Sequence, residues 1–168
     1  MGELEDVRGA LLRLLPDLRA FARFLARDRT LADDLVQDAL VRALGALDQY
    51  RPGTSLKAWT FTILRHGYYE QGRRRRREVA LDDLSGAEAL EEGGAQAPDQ
   101  GSRVAVGDLQ RMLWRLPPLL REALILVGAQ ELSYEEAAAI CRVPVGTMKA
   151  RVSRARTALG RAMGDGAG

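Results

Sequence analysis

A chain of 168 residues with 46% hydrophobic content is long enough for one domain, or two small ones, with real cores. Its formal charge is only +2, and its single cysteine and single histidine exclude an intramolecular disulfide, a cysteine zinc cluster and any multi-histidine metal site. Aromatics are few, no alternating strand-like run stands out, and Leu, Ala, Arg and Glu dominate, so the expected fold class is all-α.

In chain order, Leu4, Val7, Leu11, Leu14 and Leu15 recur at helical spacing and predict a first helix over 3–15. Pro16 breaks or restarts it, and 17–27 continues with Leu18, Phe21, Ala22 and Leu25 inward. Thr30 followed by Asp33 marks the next helix start. That helix runs to about Leu47, with Leu35, Ala39, Leu40, Ala43 and Leu47 facing a core. Asp34, Gln37, Asp38 and Val41 make a second surface, which periodicity alone reads as a solvated acidic face.

A turn at Arg51-Pro-Gly-Thr-Ser55 ends in a helix cap. The helix from Leu56 to about Gly72 carries apolar groups on more than one side, as a central helix does. It leads into five consecutive arginines, Arg73, Arg74, Arg75, Arg76 and Arg77. Near Lys57, Arg65, Tyr68 and Tyr69, that density fits phosphate contact better than a merely solvated terminus.

The charges are sorted along the chain. Residues 51–77 hold eight basic and one acidic side chain, whereas 78–102 hold seven acidic and none basic. Such sorting points to a polyanionic partner at specific patches. Residues 79–102 read as a flexible acidic linker, with room for a short helix around Asp82 to Leu90, between a helical domain over 1–78 and a small four-helix domain over 103–163. Residues 164–168 read as a disordered tail.

The second domain opens with Val106, Leu109, Met112 and Leu113 at helical spacing and breaks at Leu116-Pro-Pro118; a helix over 119–127 follows. Two helices joined by a tight turn close the domain. Ser133 caps the first and Glu136 completes a capping box; Val143-Pro144 interrupts, and the second runs over 146–161. Met148, Val152, Ala155 and Leu159 mark its buried stripe, while Thr147, Ala150, Arg154, Thr157 and Arg161 face away. From Arg142 to Arg161 there are six basic residues and no acidic one. This is the helix-turn-helix pattern for the DNA major groove, with a plain αα-hairpin bearing a solvated basic face as the alternative. Cys141, at the end of an apolar face, is read as a small buried hydrophobe.

Three stretches, in this order and spacing, resemble the extracytoplasmic-function group of bacterial RNA polymerase sigma factors over nearly the whole chain. They are Asp34-Leu-Val-Gln-Asp-Ala-Leu-Val-Arg-Ala-Leu44, then Leu56-Lys-Ala-Trp-Thr-Phe-Thr-Ile-Leu-Arg65, then Leu116-Pro-Pro with the helix-turn-helix up to Arg156. The run from Arg121 to Ala129 further resembles the general-stress-response subgroup. Members of that subgroup are held by a small anti-sigma protein and released by a sigma-mimicking response regulator.

The resemblance implies two helical domains, sigma-two-like and sigma-four-like, on a flexible tether. Core RNA polymerase, promoter DNA and an anti-sigma protein are the implied partners. It assigns Asp34, Leu35, Gln37, Asp38 and Val41 to docking on the polymerase, against the solvated-face reading. Lys57, Trp59, Arg65, His66, Tyr69 and Arg73 to Arg77 are assigned to the melted minus-ten element, although Trp59 also suits the core. His66 stands where the family usually has asparagine, so the amide's paired donor and acceptor are lost there. Thr147, Lys149, Arg151, Arg154 and Arg156 are assigned to the minus-thirty-five element, with Lys149 and Arg154 toward bases and Arg151 and Arg156 toward phosphates.

A stand-alone helix-turn-helix regulator would leave the first half of the chain without a job. A decoy that only sequesters an anti-sigma protein would need neither the basic reading helix nor the arginine run. No Gly-rich phosphate loop, metal cluster or nucleophile–base set appears, so an enzyme, a cofactor and a small-molecule substrate are not expected. No apolar run approaches the roughly eighteen residues of a membrane span, and the N-terminus lacks a secretion-signal layout. A cytoplasmic location is expected.

Overall fold

The computed structural model describes residues 2–83 and 104–165. Helix is the only regular structure among the described residues, and the chain divides into two compact units. The first carries α1 (Gly2–Arg13), α2 (Leu15–Ala26), α3 (Arg29–Gly45) and α4 (Leu56–Asp83). The second carries α5 (Val104–Arg115), α6 (Pro118–Leu124), α7 (Tyr134–Cys141) and α8 (Val145–Asp165).

In the first unit α1 and α2 are separated at Leu14, so that Pro16 falls in the first turn of a new helix, where its missing N–H removes no intrahelical bond. Leu11 is buried but Leu4, expected to face inward, is exposed. Helix α3 starts one residue after Asp28, whose carboxylate accepts from the Leu31 amide at 3.1 Å. Thr30, the expected start, lies inside the helix. The difference has a local cause: Arg27 adopts a positive φ of 59°, which leaves Asp28 extended and in register to cap.

The turn before α4 is closed by its own side chains. Thr54 Oγ1 donates to the Arg51 carbonyl at 2.7 Å, Tyr50 donates to the Thr54 carbonyl at 2.8 Å, and Gly53 supplies the positive φ of 89°. Ser55 Oγ then accepts from the Ala58 amide at 3.0 Å, as its place before the helix predicts. Helix α4 packs on α1, α2 and α3. Its buried side is Thr60, Phe61, Leu64 and Gly67, and Phe61 stacks on Phe21 of α2 with ring centroids 4.8 Å apart. The buried Thr60 hydroxyl is satisfied by the Leu56 carbonyl at 2.7 Å.

Helix α4 does not stop near Gly72. It continues through the arginine run to Asp83, with residues 73–81 exposed. Arg, Glu, Ala and Leu are good helix formers and no proline intervenes, so one glycine at Gly72 is too weak a breaker to end it. Residues 79–83 of the stretch read as a tether are therefore helical; its remainder lies outside the described residues.

In the second unit α5 ends at Arg115, ahead of the Leu116-Pro-Pro118 break. Arg121 holds that corner: it is buried, donates Nη1 to the Leu116 carbonyl at 3.2 Å, and stacks its guanidinium 4.1 Å from the Trp114 ring centroid. A cation placed against the end of a helix also suits the helix dipole. Helix α6 is shorter than expected because Ile125–Ala129 widens into a π turn, with the Gln130 amide bonded back to the Ile125 carbonyl. Leu109, expected inward on α5, is exposed.

The capping box of α7 is present in full: Ser133 Oγ accepts from the Glu136 amide at 3.0 Å, and Glu136 Oε1 accepts from the Ser133 amide at 3.1 Å. Ser133→Ala is expected to lower the stability of this unit by about 1 kcal/mol, measured by urea unfolding; an unchanged midpoint would mean the cap adds nothing. Helix α8 reaches Asp165, so the tail expected over 164–168 is helical for its first two residues. Residues 166–168 lie outside the described residues.

Candidate functional site

The first candidate surface is on α8. Arg142 ends α7 in a left-handed conformation (φ 57°), and the Val143 amide returns to the Ala138 carbonyl at 3.0 Å, which turns the chain tightly into α8. Met148, Val152 and Ala155 are buried against the unit, as the spacing predicts, and their burial sets the outward face. Lys149, Arg154 and Arg156 are exposed; Thr147 and Arg151 are half-buried at its margin. Thr147 and Arg154 share the outermost stripe with Ala150, whereas Lys149 and Arg156 form a separate edge. Lys149 Nζ lies 5.7 Å from the Tyr134 ring centroid at the start of α7. Tyr134 was not singled out from sequence, since only the fold brings it to this edge.

The second surface is on α4. Opposite the buried Phe61 and Leu64, helical spacing aligns Thr62, His66, Tyr69 and Arg73, with Arg65 and Arg76 on one flank and Trp59 and Arg77 on the other. Arg65 stacks over the Tyr69 ring at 4.5 Å, and Tyr69 meets Tyr68 edge to face at 5.2 Å. Trp59 is half-buried and lies 5.4 Å from the Tyr50 ring, not in the core. Aromatic faces interleaved with guanidinium groups can stack unpaired bases and hold their phosphates.

Lys57 does not join this surface. It lies on the packed side of α4, 3.5 Å from the Asp17 carboxylate and over the Phe61 ring at 5.8 Å, and so ties α4 to α2. Arg74 and Arg75 likewise point off the stripe, because five consecutive helical positions sweep more than a full turn.

The third surface is the outer face of α3. Asp34, Gln37, Val41 and Leu44 line it, and Val41 is 69% exposed. Leu35, one of the expected contact residues, is 1% exposed and belongs to the core. It lies a quarter-turn round from Asp34, so it supports the face from behind. Leu44, three residues beyond Val41 and exposed, extends the apolar part of the stripe, and that spacing was the available signal. Asp38 sits at the edge, with its Oδ2 3.0 Å from Arg42 Nε. Arg42 Nη1 also donates to Glu70 Oε2 of α4 at 3.1 Å. That hydrogen bond, then the Arg42 charge, holds the Glu70 carboxyl below the usual carboxylate range. Its folded-state pKa is depressed, so the pairing stabilises the unit at neutral pH and is lost only as acid protonates Glu70.

Among the described residues no group of three His, Cys, Asp or Glu side chains could hold a metal, and no helix is long and apolar enough to cross a membrane. Cys141 is buried, its thiol facing Glu122 Oε1 at 3.6 Å.

Sigma-70 region 2 matches residues 11–78, the first unit, and Sigma-70, region 4 matches residues 107–159, the second. The two regions in this order define an RNA polymerase sigma factor, a factor for transcription initiation and not an enzyme. The chain is 46% identical to the ECF RNA polymerase sigma factor EcfG of Rhodopseudomonas palustris, over 92% of its own length and 83% of that protein's. To the ECF RNA polymerase sigma-E factor of Escherichia coli K12 it is 35% identical, over 75% and 70% of the two chains. A solved sigma factor, RpoE of Bartonella quintana in complex with the anti-sigma factor NepR, superposes with a TM-score of 0.80 and 45% identity, covering 94% of this chain and 96% of that one. The chain belongs to the extracytoplasmic-function family of sigma factors, which act with core RNA polymerase at promoter DNA.

Proposed function

We propose that this chain is the alternative sigma factor of a general stress response, working in the cytoplasm and held inactive by a small anti-sigma protein. The observation that carries the reading is its likeness, over almost the full length of both chains, to a sigma factor solved with the anti-sigma factor NepR. The likeness to EcfG supports it.

In this reading the first unit docks on core polymerase through the outer face of α3, and a few carboxylates among apolar groups suit a basic partner surface. The α4 stripe of His66, Tyr69 and Arg73 takes the melted minus-ten element, stacking unpaired bases and neutralising displaced phosphates. Helix α8 enters the major groove at the minus-thirty-five element, and the acidic stretch between the units follows the polymerase's RNA path. The anti-sigma protein covers the apolar-acidic surface that polymerase needs.

The test mixes the full chain with core polymerase and a promoter library, then maps transcript starts with and without an anti-sigma protein of the NepR kind. Starts at one promoter class that disappear on adding it are expected; starts indifferent to it would remove the anti-sigma part. Within α8, Arg154→Ala is expected to cost about 1–3 kcal/mol at the specific promoter and relax one base step. Arg156→Ala should weaken binding evenly and lower the salt slope by about 1. Fluorescence anisotropy over a salt series separates the two, and identical behaviour would refute the division of roles.

A further inference from the structure

The outer face of α3 and the stripe on α4 are joined by a run of charged side chains. Asp38 Oδ2 lies 3.0 Å from Arg42 Nε, Arg42 Nη1 donates to Glu70 Oε2 at 3.1 Å, and the same Oε2 lies 3.8 Å from His66 Nε2. These side chains are roughly half-exposed, so the pairs add little to stability. What they supply is direction. A planar guanidinium engaged by carboxylates on two different helices is held in position and plane, and it holds Glu70 in turn.

An ionised carboxylate can only accept hydrogen bonds. Glu70 Oε2, at 3.8 Å from Nε2, is beyond hydrogen-bond distance and acts on the ring through its charge, which favours an N–H on the side that faces it and an acceptor at Nδ1 of the neutral ring. A ring biased in this way asks a melted base for a donor. A ring free to turn takes a donor or an acceptor alike.

We propose that Glu70, held by Arg42, is a positioning residue that orients His66 and thereby sharpens base selectivity at one position of the melted promoter. The inference rests on the reading of the α4 stripe as the minus-ten surface. It also makes the histidine in place of the family's usual asparagine a directed acceptor and not a loss of chemistry. Arg42 ties this reader to Asp38, so the docking face and the reading face share one chain of contacts.

The test uses holoenzyme assembled from the full chain and core polymerase, on promoters carrying each of the four bases at every minus-ten position. Glu70→Gln keeps the shape, removes the charge and lets the ring turn. It is expected to assemble and initiate, but to lose about tenfold in discrimination at a single position, the scale of one positioned hydrogen bond. Arg42→Met should lose discrimination at that same position. Adding Glu70→Gln to His66→Ala should cause no further loss.

Unchanged discrimination in Glu70→Gln, a loss spread evenly over all positions, or a loss that adds to that of His66→Ala would overturn the proposal while leaving the sigma-factor reading intact. Failure of the unaltered chain to direct initiation at all would sink both.

Discussion

Asp34→Arg combined with Val41→Lys is expected to abolish co-elution with core RNA polymerase, weakening the complex at least about a hundredfold, while the chain stays folded. The magnitude follows from the two things removed. Val41, 69% exposed, has no role in the core; burying a valine side chain in the proposed interface would contribute about 1.5–3 kcal/mol, and a lysine there would set an ammonium against the apolar part of the contact. Asp34 supplies negative charge beside it, and reversal converts attraction to a basic partner into repulsion. Both side chains are solvent-facing in the free protein, so the change in folding stability should stay within about 0.5 kcal/mol. Size-exclusion chromatography with core enzyme reads the first effect and thermal unfolding the second. Asp38→Asn alone should do less, because that carboxylate is already engaged by Arg42. Retained co-elution of the double variant would remove α3 from the docking surface.

Phe61→Ala should have the largest effect on the fold, costing the first unit about 3–5 kcal/mol. Phe61 is fully buried and lies nearly parallel to Phe21, with 6° between the ring planes, at the junction of α2 and α4. Truncation leaves a cavity that two helix backbones cannot close without moving. Against a typical total of about 5–15 kcal/mol, the loss is enough to unfold the unit or leave its packing fluid. Since α4 carries His66, Tyr69 and Arg73, promoter opening should fail, while DNA binding by α8, in the other unit, persists. Urea unfolding followed by near-ultraviolet circular dichroism gives the size of the loss. A change below about 1.5 kcal/mol would mean that the site collapses on the smaller side chain and that the stacked pair is not the keystone of the unit.

Much of this was legible in the residues because the relevant physics is local. The Ser133–Glu136 capping box, the break at Leu116-Pro-Pro118, the Ser55 cap and the buried stripe of Met148, Val152 and Ala155 each depend on neighbours within a few positions. The first three appear as read, and so does the stripe, save that Leu159, its expected last member, is only half-buried. The errors came where two nearby signals competed. Asp28 outbid Thr30 as the cap of α3 because the conformation of Arg27 placed it, and nothing in the residue order announces that. Gly72 and the arginine run suggested a helix end, yet summed propensity carried α4 to Asp83.

Family membership, the all-helical class and the basic face of α8 all follow from residue order, since periodicity and charge placement are properties of the chain as written. Which cations have neighbours within the protein is a different matter. Lys57 is engaged by Asp17 of another helix, Arg42 by Glu70 across a helix pair, and Lys149 lies beside the ring of Tyr134, and each partner is distant in the chain. The same holds for α3, where the helices packed against it bury Leu35 and leave Leu44 exposed. Spacing says which side chains share a face. Only the neighbours a helix meets decide which face is buried, because burial is a property of the contact between helices.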